Sequence, residues 1–198
     1  MKPFLRIQRP KDGELMAAYV AGLGELEQLS TASPEARLSL LSSLGAQACN
    51  LDLLEEARKY LETALALALK LHDAERELSI RLRLAITLQY LERLEQANEM
   101  FQLALKMTLI PELQSYQDTV LQHWGKLLAE QGKYAAAHKC FEQALMLRQL
   151  KQDPELIADS EDALELLDSL GEVSPDGYLV TRTQIDHIEL EVAEEEAS

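Results

Sequence analysis

The sequence predicts an all-α protein, a solenoid of antiparallel helix pairs, and three observations carry that prediction. The composition favours helix: hydrophobic residues make up 47% and charged residues 27%, with only 8 Gly and 6 Pro in 198 residues. The apolar residues recur at a fixed long interval. Helix start and stop signals fall between them at the places such pairs require.

The interval is 40 residues, the step between Ala57, Ala97 and Ala137. Leu61, Phe101 and Phe141 keep it, as do Ala64, Ala104 and Ala144. Upstream in each unit stands a large residue followed by a small one: Leu44-Gly45, Leu84-Ala85 and Trp124-Gly125. The small residue lets the second helix of a unit approach the first. The large residue sixteen positions on fills the space between units. One such hairpin cannot bury its own apolar side, but a stack can.

The elements follow in order. Residues 1–11 read as irregular, or as a short strand over 4–8. A first helix is expected over 12–29, with Ala17 standing 40 before Ala57, as the second helix of a truncated unit. Ser33-Pro34 is a good start for the next, which runs to about Asn50. Its partner covers 53–71. Asp73 caps a helix over 74–91, paired with 94–108. Pro111 opens a helix to about 131, and 133–150 completes the third full unit. Asp153-Pro154 caps a final helix to Leu170, closed by Gly171. Its polar residues Asp159, Asp162 and Asp168 fit the wetter outer face that ends a stack. Eight helices thus form one body over 12–171.

The last stretch, 172–198, is a separate acidic tail, with eight acidic residues and one Arg against a net charge of −15 for the whole chain. Ser174-Pro175-Asp176-Gly177 is a turn signal. Residues 178–184 are rich in β-formers, and Ile188, Leu190 and Val192 alternate with Glu189 and Glu191. The same stretch also fits a helix through Ile185, Ile188 and Val192.

This arrangement resembles the tetratricopeptide repeat family, in the 40-residue form of kinesin light chains and related bacterial peptide sensors. The large-small start, the Ala, the large residue four later and the Ala three later all match, and Gly132-Lys133-Tyr134 is similar to the family's interhelix turn. The third position of the start is Ala48, Leu88 and Leu128, where the family usually has Tyr. The resemblance implies a right-handed superhelix of three full units, a half unit and a capping helix. It implies that the first helix of each pair lines a groove. The inner positions would then be Ser39, Ser42, Ala46, Cys49 and Asn50 in unit one. In unit two they would be Ser79, Leu82, Ile86, Gln89 and Tyr90. In unit three they would be Thr119, Gln122, Lys126, Ala129 and Glu130. Some relatives clamp a C-terminal carboxylate with Lys and Asn there; Ser42 and Ala46 disfavour that clamp.

The candidate binding set is Asn50, Leu82, Ile86, Gln89, Tyr90, Gln122 and Lys126: an apolar floor with a polar rim, suited to a helix or an extended peptide. The alternative is that neighbouring helices cover Leu82 and Ile86. The function this predicts is a non-catalytic protein–protein interaction module, an adaptor, scaffold or regulatory subunit. The alternatives are a regulator whose superhelix changes when a peptide binds, and a self-assembling protein, such as a homodimer, whose tail docks in its own or a neighbour's groove.

No Gly-rich phosphate loop, paired-Cys motif or nucleophile elbow occurs in the sequence. His72, His123, His138 and His187 are dispersed, so no metal or cofactor is implied. Trp124 reads as a core residue, and Cys49 and Cys140 as small apolar ones. The negative charge disfavours nucleic acid and anionic membranes as partners. With no signal-like apolar start and no membrane-length run, the expected location is the cytoplasm.

Overall fold

The computed structural model describes residues 13–28, 33–170, 172–173 and 179–180. Among these, eight α-helices follow one another: α1 (Gly13–Gln28), α2 (Pro34–Asn50), α3 (Leu54–Leu71), α4 (Ala74–Tyr90), α5 (Leu94–Met107), α6 (Gln117–Glu130), α7 (Tyr134–Lys151) and α8 (Pro154–Ser169). The chain packs as two compact units, divided between Tyr116 and Gln117. The first holds α1–α5, and the second holds α6–α8.

The helix starts are made by the residues the sequence nominates. Ser33 Oγ accepts from the Ala36 N–H at 3.2 Å, with Pro34 in the first turn. Asp73 accepts from the Arg76 N–H at 3.0 Å. Asp153 accepts from the N–H groups of Glu155 at 3.1 Å and Leu156 at 3.2 Å. Between the helices of a pair the chain reverses through one left-handed residue. Asp52, Glu92 and Gly132 hold that place with φ of 64°, 60° and 72°, again 40 residues apart.

The repeat positions form the core of both units. Ala57, Leu61 and Ala64, their counterparts Ala97, Phe101 and Ala104, and then Ala137, Phe141 and Ala144 are all fully buried. The small residue of each pair is needed for close approach. A Cβ on Gly45 would lie 2.6 Å from Leu61, and one on Gly125 would lie 2.5 Å from the Phe141 ring.

Four expectations need correction. Pro111 does not open an α-helix: Pro111–Tyr116 is a 3₁₀ helix, and α6 begins at Gln117. Leu113 is buried beneath that turn, and the Tyr116 hydroxyl donates to Glu75 Oε1 at 2.7 Å, so tertiary anchors set this backbone. Trp124 is only half-buried, whereas Leu44 and Leu84 at the same repeat position are buried; an indole is too large to be enclosed there. Ala17 does not take the role of Ala57 and is exposed. α1 meets its neighbour through Tyr19 and Gly22 instead, and a Cβ on Gly22 would lie 2.9 Å from Leu44 Cδ2. Finally, Asp162 and Asp168 face solvent on α8, but Asp159 is half-buried and turned inward.

In the tail, β1 (Glu172–Val173) pairs antiparallel with β2 (Leu179–Val180), Glu172 opposite Val180. Of the β-former-rich residues 178–184, the described ones are the two of β2. The turn at 174–177, the closing Gly171, the strand-or-helix stretch after 184, and the irregular start over 1–11 lie outside the described residues.

Candidate functional site

In the first unit α2 and α4 lie side by side. The Thr87 hydroxyl stands 3.5 Å from Cys49 Sγ and donates to the Arg83 carbonyl at 2.9 Å. Tyr90 packs against a core cluster that includes Leu44, Ala48 and Cys49. On α2, Ser39 and Asn50 are exposed and Ser42 and Ala46 half-buried, while Cys49 is buried. On α4, Ser79, Ile86 and Tyr90 are half-buried. Leu82 is only 8% exposed and Gln89 only 3%, so both belong to the packing and not to an open floor. The structure therefore leaves Asn50, Ile86 and Tyr90 of the candidate set in reach of solvent, with Ser42 and Ala46 in the same register.

The second unit treats the equivalent positions differently. Gln122 is fully buried and Lys126 is 9% exposed, against an expectation that both line an open surface. The Gln122 amide donates to the Asp159 carbonyl at 3.0 Å, and its oxygen accepts from Ser160 Oγ at 2.9 Å. Lys126 Nζ pairs with Asp159 Oδ1 at 3.1 Å. Ala129 and Glu130 are buried too, and Thr119 half-buried.

Arg148 of α7 is the centre of this network. Its guanidinium meets Asp118 at 3.4 Å and Asp159 at 3.0 Å, and it donates to the Leu156 carbonyl at 2.8 Å and to Ser160 Oγ at 2.9 Å. Lys151 also pairs with Asp118. Asp118 is 1% exposed, and these two cations lie against its carboxylate. Nothing in the sequence around Asp118, Arg148 or Asp159 marks them, because their charged partners are 11 to 33 residues away.

The electrostatics follow from the geometry. Burial pushes the Asp159 carboxyl up, but the charges of Lys126 and Arg148 and their hydrogen bonds outweigh it and hold the group below the usual range. Burial drives half-buried His123 down to about 4, and the Lys126 charge adds to that. His123 is a neutral ring, and His138 lies 3.3 Å from Glu142 and 3.6 Å from Asp168. Burial raises the Cys140 thiol to about 11, so it is a packing residue and not a nucleophile. Among the described residues no group of three His, Cys, Asp or Glu side chains has the placement to hold a metal ion. No helix among them is long and apolar enough to cross a membrane.

Solved structures share this fold. BtubC (BKLC) from P. vanneervenii superposes with a TM-score of 0.68 at 20% identity, over 80% of this chain and 67% of its own. The apo form of RapI gives 0.73 at 16% identity over 79% of this chain, which spans only 58% of RapI. A Podosopora anserina kinesin light chain-type protein with nearly identical TPR-like repeats gives 0.66 at 14% identity, over 94% of this chain and 90% of its own. At such identities the likeness is one of fold. No curated protein matches the chain. The sequence matches the tetratricopeptide repeat over residues 36–109 and again over 119–149, more than half of its length. The chain belongs to the tetratricopeptide repeat family, an all-α helical repeat of the solenoid class that serves as a protein-interaction module.

Proposed function

We propose that the chain holds a peptide or a short helix of a protein partner against the inner sides of α2 and α4. The observation that carries this reading is the pairing of Ile86 and Tyr90, apolar and half-exposed, with Ala46 and Asn50 on the adjacent helix. Ile86 supplies an apolar anchor point. Tyr90 adds a large, stiff surface with a hydroxyl at its end. The Asn50 amide offers two donors and an acceptor to a peptide backbone. Leu82 and Gln89 support this surface from beneath. Gln122 and Lys126 take no part in it, being consumed in packing. The reading needs no catalytic step.

The test begins with the full chain as bait for a displayed random peptide library. Selected peptides are expected to lose at least tenfold in affinity, read by fluorescence anisotropy, against Ile86→Asp and against the double change Asn50→Ala with Tyr90→Ala. Peptides that bind those variants as tightly as the unaltered chain place the binding surface elsewhere and end this reading.

A further inference from the structure

A second surface, on α1, is separate from the one just described. α1 is firmly seated. Tyr19 is 6% exposed and meets the Tyr60 ring edge-on at 6.5 Å, and Gly22 lies hard against Leu44. Leu23 and Leu26 pack against the same core cluster. The opposite side carries Met16, Ala17, Val20, Ala21 and Gly24, one stripe at helical spacing and all exposed, with Met16 at 43% and Val20 at 58%. A contiguous apolar stripe of this kind is uncommon on an exposed helix side. α8 shows the usual solution: its exposed positions include Glu161, Asp162, Glu165 and Asp168.

We propose that the outward side of α1 docks a helix from another protein, apolar along one side and rich in Lys or Arg beside it. Two features choose the shape and two choose the charge. The stripe runs from Met16 to Gly24, about 13 Å along a helix of 16 residues, so it meets two to three turns of an incoming helix. Ala17, Ala21 and Gly24 offer no bulk, so an incoming helix with large apolar side chains comes close, and nothing lies within 4 Å of where a Cβ on Gly24 would be. Glu25 and Glu27 flank the stripe at its C-terminal end, both exposed. That end has no basic residue and carries the negative pole of the helix dipole, so the pair and the dipole act together on a cation. The same carboxylates argue against a second copy of this chain, because α1 against α1 sets like charges in one interface.

The experiment uses the full chain and a labelled 16-residue peptide with Leu along one side and Lys elsewhere, beside a twin with Glu in place of Lys. The Leu/Lys peptide is expected to bind at 150 mM salt, and the Leu/Glu twin at least tenfold more weakly. Val20→Arg is expected to weaken Leu/Lys binding at least tenfold. Met146→Arg, which puts the same charge at another exposed apolar site, is expected to change it less than twofold. Ile86→Asp, the variant that breaks the α2–α4 reading, is expected to leave it unchanged. Circular dichroism confirms that each variant is folded. An equal loss for Val20→Arg and Met146→Arg reports only general attraction to an acidic chain and overturns the proposal. So does a dimer of the unaltered chain that Val20→Arg converts to monomer, since the surface then belongs to a second copy.

Discussion

Ile86 and Lys126 hold the same place in successive repeats, and so do Leu82 and Gln122, yet the two helices that carry them have opposite lives. On α4 the pair is apolar, and Ile86 still reaches solvent. On α6 the pair is polar and is locked to Asp159 and Ser160 of α8. A repeat position therefore fixes how a residue is aimed, and the neighbouring element decides whether that aim ends in water or in packing. The second unit closes its α6 side with charge and hydrogen bonds. The first unit closes its α4 side only in part.

The comparison is broken most severely at Arg148. Arg148→Ala leaves Asp118 and Asp159 short of a shared cation in a buried setting, and should destabilise the chain by about 3–5 kcal/mol in urea unfolding. Arg93→Ala in the first unit removes the partner of Glu55 in an exposed pair, and should cost under about 1 kcal/mol. Equal losses would mean that the network is no more than a set of surface pairs.

The next largest effect is steric. Gly125→Ala places a Cβ 2.5 Å from the Phe141 ring and should cost about 1–3 kcal/mol. Gly24→Ala, in open space on α1, should instead raise stability by up to about 1 kcal/mol through helix propensity. Thermal unfolding of the two variants side by side checks both signs.

A third effect is a slope with pH. His123 has its ordinary value of 6.5 when unfolded and about 4 when folded. Between those values the unfolded chain binds more protons, so the stability tied to the neutral ring is whole above 6.5 and is lost as pH falls toward 4. Asp159, held low by its cations, adds a loss of the same sign at more acid pH. Urea unfolding across this range should show a shallower slope for His123→Gln than for the unaltered chain; an unchanged slope assigns the pH dependence to other groups.

The fold was legible because its signals are local or strictly periodic. Ser33, Asp73 and Asp153 cap helices through bonds to residues two or three positions on, and Ala57 to Phe141 repeat at a spacing that any reading of the sequence meets. The errors arose where distant contacts override such rules. Tyr116 reaching Glu75, 41 residues back, holds a 3₁₀ segment where Pro111 signalled an α-helix. Lys126 looked like a groove residue because nothing near it in sequence shows that Asp159 will meet it. α1 broke register because Gly22, and not Ala17, is what fits against Leu44.

The left-handed turns between paired helices carry an evolutionary consequence. Asp52, Glu92 and Gly132 share one backbone conformation, and only Gly132 is the residue that adopts it without crowding. Glu92 sits there at a cost of about 1 kcal/mol, by the ordinary penalty for a side chain in that region. A single nucleotide change converts a glutamate codon to a glycine codon. Selection for a sturdier protein thus has a short mutational path that leaves every buried repeat residue as it is, and lineages exposed to heat would be the place where glycine spreads backward through the repeats.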